Sequence, residues 1–259
     1  MGKVGIVVVT YNRIDLLKEV IESLRFQTYS EFQIVVVNNG STDGTFEWLS
    51  QQTDIVVITQ KNLGGAGGFF TGMKYIAEHD FDYCWIMDDD VVCQSDALEQ
   101  LMCATNVYPN FGFMCSRVIG CDGGAMNTPV ACKYASVKNS YPDFYKFVAD
   151  YGMVQMSSAT FVSVLFNVEK IREMGLPIKE YFIWGDDSEY TTRLSTKYTS
   201  FLVCRSVVVH KRALQKPLRF LNEKNPYRIN NYFYMIRNQI RTRIMRKDFL
   251  GLINRVALY

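Results

Sequence analysis

Apolar residues in the first 105 positions of the chain follow two alternating patterns. Unbroken, largely β-branched runs at residues 4–9, 33–37, 55–58 and 83–87 predict strands that are buried on both faces, as in a parallel sheet. Between these runs, apolar residues recur at helical spacing, as in residues 16–24, and polar loops follow the strands. The alternation predicts an α/β domain with a Rossmann-like, mostly parallel sheet, flanking helices and one functional edge.

The second half of the chain is less regular. Strand-like runs occur at residues 111–119 and 201–209, with further apolar runs in residues 153–166, and residues 168–174 predict a short helix. Residues 120–150 mix Gly, Asn, Pro and aromatic residues without a clear period. That composition predicts a loop-rich segment near the functional site.

Residues 211–259 differ from the rest in charge. They contain twelve Lys/Arg and two acidic residues, a net charge of +10, whereas residues 1–210 carry −8. Residues 225–247 predict a helix that interleaves aromatic with basic side chains. Such a helix suits an anionic membrane surface, and an equally weighted alternative is a helix that packs on the domain with a solvated basic face. We therefore predict a domain at 1–210, followed by a basic aromatic helical tail at 211–259.

Composition narrows the class of protein. With 48% hydrophobic and 21% charged residues, the chain can bury a sizeable core and does not resemble a disordered protein. Seven scattered cysteines without a CxxC spacing, and only two histidines, argue against a zinc site and favour reduced thiols in a cytosolic protein. No apolar run approaches about 18 residues, and Met1 leads directly into a strand, so we expect neither a membrane span nor a signal peptide.

Three consecutive carboxylates, Asp88, Asp89 and Asp90, follow the strand predicted at residues 83–87. Like charges beside a core are costly unless a cation joins them, and open α/β sheets bind ligands at the carboxyl ends of their strands. Alternation along the strand would let Asp88 and Asp90 share one Mg²⁺ or Mn²⁺ while Asp89 points elsewhere. Taken alone, an acidic turn that caps the next helix is the commoner arrangement.

A glycine-rich segment lies between two predicted strands. Four of the five residues 64–68 are glycine, within a predicted loop at residues 60–69 that leads into a helix from about Phe69 to Glu78. Glycine lets the backbone approach a ligand closely, and the N-terminus of the helix would favour an anion. A flexible turn explains this segment equally well when it is considered alone.

A second acidic cluster, Asp186 and Asp187, follows an aromatic run and precedes a helix predicted over about residues 188–195. These two residues could serve simply as a helix cap and a first-turn acid. His210 ends the last predicted strand, and a lone histidine is more often structural than a ligand.

In their order along residues 4–210, these segments resemble the family 2 glycosyltransferases of the GT-A fold. The motifs that carry the resemblance are Val-Thr-Tyr-Asn-Arg, Asn-Asn-Gly-Ser-Thr-Asp-Gly-Thr, Asn-Leu-Gly-Gly-Ala-Gly-Gly-Phe, Asp-Asp-Asp, Trp-Gly-Asp-Asp-Ser-Glu-Tyr and the final histidine. The glycine-rich form, the three Asp and the tail's Tyr-Phe-Tyr-Met-Ile-Arg-Asn are most similar to bacterial galactofuranosyltransferases, and rhamnosyltransferases share much of the pattern.

The resemblance implies a nucleotide-binding half at about 1–105 and an acceptor-binding half at about 106–210. It implies Mn²⁺ or Mg²⁺ at Asp88, Asp90 and His210, with Asp187 as general base. Trp184 and Asp186 would shape the acceptor site. The nucleotide-sugar would contact Thr10, Asn12, Arg13, Asn38, Asn62, Gly64, Gly65 and Asp89. Asn38 stands where the family often has Asp beside the base, which leaves the identity of that base open.

The implied activity is an inverting, metal-dependent transfer of a sugar, with galactofuranose favoured, from a UDP-linked donor to a glycan or lipid-linked acceptor in bacterial surface polysaccharide synthesis. A single displacement needs a Lewis acid for the leaving diphosphate and one base for the attacking hydroxyl, which the two acidic clusters could supply. The alternatives are a rhamnosyltransferase using dTDP-rhamnose, a nucleotidyltransferase, and a catalytically silent sugar-nucleotide binding module.

For its setting, we expect a cytoplasmic protein that contacts the inner face of the plasma membrane peripherally through residues 211–259. No recognised nucleic-acid motif is present, so we expect no nucleic-acid partner. A homo-oligomer is compatible with the sequence.

Overall fold

The computed structural model describes residues 2–133, 141–211 and 226–248. Within these ranges, ten strands form one sheet. The strands are β1 Val4–Thr10, β2 Phe32–Asn38, β3 Ile55–Thr59, β4 Tyr83–Asp88, β5 Val91–Cys93, β6 Phe113–Ile119, β7 Val130–Ala131, β8 Met153–Ser158, β9 Ser163–Asn167 and β10 Ser200–His210. The helices are α1 Ile14–Arg25, α2 Thr45–Leu49, α3 Gly64–Glu78, α4 Ala97–Val107, α5 Tyr141–Tyr151, α6 Val168–Met174, α7 Asp186–Lys197 and α8 Pro226–Met245, with a short 3-10 turn at Lys179–Tyr181.

The strand order is β3-β2-β1-β4-β9-β6-β10-β8-β7, and β5 pairs with β10. Strands β1 to β4 are mutually parallel, whereas β9 runs antiparallel to both β4 and β6 and joins the parallel half to a mixed half. The predicted α/β sheet with flanking helices is confirmed. The carboxyl ends of β1, β2, β3 and β4 share one edge of this sheet, where ligands of open α/β folds bind.

Alternating side chains of β1 bury against both faces of the sheet. Val4, Ile6 and Val8 pack with residues of α1, α2 and α4, while Val7 and Val9 pack with residues of α3, α6 and α7. A strand enclosed in this way needs apolar residues at every position, which explains its unbroken β-branched run.

The glycine-rich segment is helical, so the predicted loop at residues 60–69 is wrong in its second half. Helix α3 begins at Gly64, not at about Phe69. A Cβ built on Gly68 would lie 2.3 Å from Val9 Cγ1, and one built on Gly72 would lie 2.2 Å from Val7 Cγ1. The glycines therefore let α3 pack directly on β1, and this tertiary contact outweighs the low helix propensity of glycine.

The loop-rich prediction for residues 120–150 also needs correction, because α5 begins at residue 141. Residues 134–140 of that segment lie outside the described ranges, as do residues 212–225 and 249–259 of the tail. The described tail is one helix, α8, close to the helix predicted at residues 225–247. Among the described residues, no helix is both long and apolar enough to span a bilayer.

Candidate active site

A cleft of about 890 Å³ opens at the carboxyl edge of β1 and β4. Twelve of the residues predicted from the sequence line it: Thr10, Arg13, Asn62, Gly64, Gly65, Asp88, Asp89, Asp90, Trp184, Asp186, Asp187 and His210. Asn12 and Asn38 do not line it. The structure therefore brings both acidic clusters and the glycine-rich segment to one cavity.

Asp88, Asp90 and His210 form a cluster that could hold a metal ion. One ligand atom from each residue lies within 4.8 Å of the others. The antiparallel pairing of β5 with β10 creates this proximity, because Val91, which follows Asp90, is registered with His210. The short strand β5 was not predicted from the sequence.

The imidazole of His210 is oriented by Asn127. The Nδ1 atom of His210 lies 2.8 Å from Asn127 Oδ1. An amide oxygen only accepts hydrogen bonds, so Nδ1 donates to Asn127 and Nε2 is the ring atom that faces the carboxylates. That Nε2 lies 3.0 Å from Asp90 Oδ1, a buried atom with no other hydrogen-bond partner among the described residues. The imidazole and the carboxylate are therefore close enough for both to bind one cation, with Asn127 fixing the orientation of the ring.

Asp89 points away from this pair and towards β1. Its carboxylate accepts a hydrogen bond from Thr10 Oγ1 at 2.8 Å and pairs with Arg13 Nη1 at 3.1 Å. The same guanidinium nitrogen lies 2.9 Å from Asp90 Oδ2. Arg13 is half-exposed and thus ties two of the three carboxylates together at the mouth of the cleft.

The three carboxyls titrate differently because their partners differ. Burial raises the pKa of Asp88 well above its usual value, and the charges of Asp90 and Asp89 raise it further. Burial also raises the pKa of Asp89, to about 6, although Arg13 opposes the shift. For Asp90, burial is outweighed by His210 and Arg13, so the net effect lowers its pKa.

The glycine-rich segment faces the cleft through Gly65. A Cβ built on Gly65 would have no heavy atom within 4 Å, so its surroundings are open. The N-terminus of α3 is already partly satisfied, because Ala66 N donates to Phe182 O at 3.1 Å and Gly64 N donates to Asn62 Oδ1 at 2.9 Å. Fewer backbone N–H groups therefore remain to bind an anion here than at a free helix N-terminus.

Two predicted donor-site residues organise loops behind the cleft. Asn12 has a positive φ of 53°, and its Oδ1 accepts a hydrogen bond from Thr42 N at 2.7 Å. Asn38 is buried at the end of β2, and its Oδ1 accepts from Ser41 N at 3.0 Å. Its Nδ2 has no hydrogen-bond partner among the described residues.

The second acidic cluster begins α7. Gly185 precedes the helix with a φ of 101°, and Asp186 and Asp187 occupy the first turn, two residues before the predicted start. Burial raises the pKa of Asp186 to about 8, with the charge of Asp187 adding to the effect. Enclosure in the cleft also raises the pKa of Asp187, although backbone N–H groups at Ser188 and Gly185 oppose it.

Helix α8 contributes to the cleft, which the sequence did not predict. Asn231 is buried and lines the cavity, and the ring of Tyr232 packs edge-on against Trp184 with centroids 5.2 Å apart. One face of the tail helix thus packs on the domain, in agreement with one of the two predicted alternatives. Asn127 was also missed, because it lies in a segment without periodicity.

The fold is shared with solved glycosyltransferases of the GT-A class. GalNAc-T7 with UDP, GalNAc and Mn²⁺ aligns with a TM-score of 0.69 at 12% identity, covering 94% of this chain and 48% of that one. The mannosyltransferase PcManGT from Pyrobaculum calidifontis, in complex with GDP-Man and Mn²⁺, aligns with a TM-score of 0.59 at 18% identity, covering 99% and 69%. At these identities the likeness shows the fold alone.

The profile of glycosyl transferase family 2 matches residues 5–174, well over half of the chain. The chain belongs to this family, and the resemblance found in its motifs is confirmed. Galactofuranosyltransferase GlfT1 of Mycobacterium tuberculosis is 27% identical over 203 residues, which cover 76% of this chain and 66% of that protein. The uncharacterized glycosyltransferase YwdF of Bacillus subtilis is 37% identical over 90 residues, 34% of this chain and 32% of that one. The chain therefore spans slightly less than two thirds of GlfT1.

Proposed function

We propose that this chain is an inverting, metal-dependent glycosyltransferase that moves a sugar from a nucleoside diphosphate donor to a glycan or lipid-linked acceptor. The observation that carries the proposal is a single cleft lined both by the Asp88, Asp90 and His210 cluster and by Asp187. The first group suits a divalent cation, and the second suits proton transfer. These are the two chemical needs of a displacement at an anomeric carbon with a diphosphate leaving group.

The residues present fit Mn²⁺ or Mg²⁺. Two carboxylates and one imidazole nitrogen would hold the ion, and Asp90 Oδ1 is a buried acceptor whose sole close partner in the described ranges is the imidazole itself. A bound cation would supply Lewis-acid stabilisation of the leaving diphosphate. Arg13 adds a fixed positive charge at the mouth of the same cleft.

Asp187 would accept the proton of the attacking hydroxyl. Its raised pKa makes it a better base than an ordinary carboxylate, because general-base efficiency rises as the pKa approaches the working pH. Asp186, whose pKa is about 8, stays mostly protonated at neutral pH and so does not add a second negative charge beside the base. No covalent intermediate is needed, which agrees with the inverting outcome.

Galactofuranose carried by UDP is the favoured donor. Support comes from the tail motif and from the similarity to GlfT1, a galactofuranosyltransferase. Asn38 stands where the family often has Asp, but it is buried and does not line the cleft, so the base is left to the donor panel below. A rhamnosyltransferase using dTDP-rhamnose is the second candidate, because its family shares the motifs.

The decisive experiment measures binding and hydrolysis of UDP-galactofuranose, UDP-galactopyranose, UDP-glucose and dTDP-rhamnose, with and without Mn²⁺. We expect metal-dependent turnover of UDP-galactofuranose above the other three. Preferential turnover of dTDP-rhamnose would favour the second candidate. Binding without turnover, with or without metal, would favour a silent binding module, and no binding of any donor would reject the glycosyltransferase proposal.

We also propose that α8 contacts an anionic membrane, which would place the protein at the inner face of the plasma membrane. The face opposite Asn231 and Asn238 carries an exposed or half-exposed apolar stripe with Arg or Lys on both sides. The stripe consists of Ile229, Phe233, Ile236, Ile240 and Ile244. An apolar stripe flanked by basic residues is typical of helices that lie in a membrane interface.

This membrane contact predicts that replacing both Phe233 and Ile244 by Ser abolishes most cosedimentation with vesicles containing phosphatidylglycerol. Both side chains are more than half exposed, so the change should leave the fold intact. The matched control is Phe26→Ser, which removes a side chain that is 69% exposed on another helix end. Equal cosedimentation of the double variant and the control would contradict the proposal.

A further inference from the structure

We infer that Asn238 of α8 is a positioning residue for the acceptor side of the cleft. Its side chain is fully buried, and Nδ2 donates to the backbone oxygens of Tyr181, Ile183 and Trp184 at 2.9, 3.1 and 2.7 Å. These carbonyls belong to the turn that leads directly into Asp186 and Asp187. One amide from the tail helix therefore holds the segment that presents Trp184 and the proposed base.

The turn needs such support because its backbone is strained. Phe182 and Trp184 have positive φ angles of 64° and 60°, which bulky residues rarely adopt. Phe182 combines its φ with a ψ of −62°, the geometry of a rare and strained three-residue turn. Strained conformations of this kind persist only where the surrounding structure fixes them, and they cluster at functional sites.

The amide of Asn238 has one orientation available. Its Oδ1 accepts hydrogen bonds from Arg237 Nε and Nη2 at 3.1 and 2.9 Å, so the NH₂ group must face the three carbonyls. Arg237 Nη2 also donates to Glu180 O at 2.6 Å. An aspartate at 238 would keep the partner on the Arg237 side, but it would set a carboxylate against three carbonyl oxygens.

The same turn is fixed on its other side by α3, which belongs to the predicted nucleotide-binding half. Phe182 O accepts from Ala66 N, and a Cβ built on Gly64 would lie 2.1 Å from Phe182 O. The ring of Phe182 also stacks on Tyr234 of α8, with centroids 4.9 Å apart. The turn is thus held between α3 and α8. Asn238 donates to three of its carbonyls, and one of these, Tyr181 O, also accepts from Arg237 Nη2 at 3.2 Å.

The inference rests on the proposed function, since it assigns Asn238 its effect through Asp187 and Trp184. The test compares Asn238→Asp with Asn230→Asp, a change of the same charge on an exposed position of the same helix. Hydrolysis of the sugar donor selected in the panel above is measured with Mn²⁺ and normalised to the amount of UDP bound. This normalisation removes losses that come only from unfolded protein.

We expect Asn238→Asp to lower the rate of hydrolysis per bound UDP by about 10- to 100-fold, because small misplacements of a reacting group have effects of this size. The Kd for UDP should change less than about threefold, and Asn230→Asp should match wild type. A folded Asn238→Asp protein whose rate lies within twofold of Asn230→Asp would overturn the inference. If Asn238→Asp does not fold, Asn238→Ser, which keeps one hydroxyl hydrogen-bond donor, is judged by the same criteria.

A spectroscopic measurement separates positioning from general stability. In a Trp48→Phe background, the remaining tryptophans are Trp85, which is fully buried, and Trp184 in the cleft. Acrylamide should quench Trp184 more strongly after Asn238→Asp, and equal quenching would contradict the inference. Asp187→Asn is measured in parallel: retained turnover there would reject the proposed base, whereas loss there with a normal Asn238→Asp would reject only the role of Asn238.

Discussion

The two acidic clusters of the cleft differ in what surrounds them. Asp89 and Asp90 are paired with Arg13, and Asp90 also lies beside His210. Asp186 and Asp187 form no ion pair within the described ranges, and the groups that favour their charged forms are backbone N–H groups. In the first cluster, positive groups oppose the effect of burial and lower the pKa of Asp90, which suits a site for a cation. In the second cluster, burial raises the pKa of both carboxyls, which suits proton transfer.

Asp88 is the carboxyl of the first cluster whose charge is not balanced by a nearby cationic group in the described ranges. It has no cationic partner at ion-pair distance among the described residues, and burial together with two neighbouring carboxylates raises its pKa well above the usual value. A divalent ion beside Asp88, Asp90 and His210 would reverse this shift, because an opposite charge favours the ionised carboxyl. We therefore expect the ionisation of the first cluster to depend on bound metal and that of the second cluster to depend on pH.

The largest expected effect comes from Asp187→Asn, which removes the proposed base and keeps the shape of the side chain. We expect turnover of the sugar donor to fall by about 10²- to 10⁴-fold, with binding of UDP and Mn²⁺ nearly unchanged. Asp80→Asn, at an exposed position, is the control. A fall in UDP affinity that matches the fall in turnover would mean that Asp187 belongs to the binding cluster, and the contrast between clusters would be lost.

The next largest effect concerns the imidazole. Replacing Asn127 by Ala removes the acceptor that orients His210, and losses of this kind typically weaken a metal site by about 10- to 100-fold. The affinity for Mn²⁺, measured by titration calorimetry, should fall accordingly, and His210→Ala should weaken it at least as much. Asp122→Ala, an exposed change in the same segment, serves as the control. Unchanged Mn²⁺ affinity in both site variants would remove His210 from the metal cluster.

Much of the first cluster was predictable from local patterns. The run ending at Asp88 is a strand because it is apolar throughout, and its carboxyl end had to lie at the ligand edge of a parallel sheet. The orientation of Asp89 away from its neighbours follows from alternation along the chain. The partner His210 came only from the resemblance, because the three residues of β5 that register Val91 with His210 are too few to show a period.

The carboxylates of the second cluster were predictable from the sequence, but the contacts that hold the turn before them were not. Asn238 ends the tail motif used for the resemblance, but it is one of several polar residues in a basic aromatic helix, and nothing in the sequence distinguishes it as buried. Its partners Tyr181, Ile183 and Trp184 lie 54 to 57 residues earlier, so only the packing of α8 on the domain reveals its role. The start of α3 was likewise not predictable from local sequence, because a glycine-rich segment becomes helical here through close contact with β1.

Two glycines of α3 have different roles: Gly68 packs against β1, whereas Gly65 faces the cleft. Gly68→Ala forces a Cβ against Val9 Cγ1 at 2.3 Å, so we expect a loss of about 1–3 kcal/mol in the free energy of unfolding. A chain of this size should then melt about 2–4 °C lower for each kcal/mol. Gly65→Ala meets no heavy atom within 4 Å and should leave the melting temperature unchanged or slightly higher, but weaken UDP binding. Equal melting temperatures for the two variants would contradict this assignment.

The last prediction concerns the pH dependence of the second cluster. The pKa of Asp186 is about 8 in the folded protein and near 3.8 in an unfolded chain, so the unfolded state releases this proton first as the pH rises. The contribution of Asp186 to stability is therefore neutral below about pH 4 and becomes increasingly unfavourable up to about pH 8. Asp186→Asn should therefore raise the melting temperature at pH 8 and change it little at pH 3, where both states hold the proton. Asp80→Asn should show no such trend, and a stabilisation by Asp186→Asn that is equal at both pH values would place its cause in packing rather than in charge.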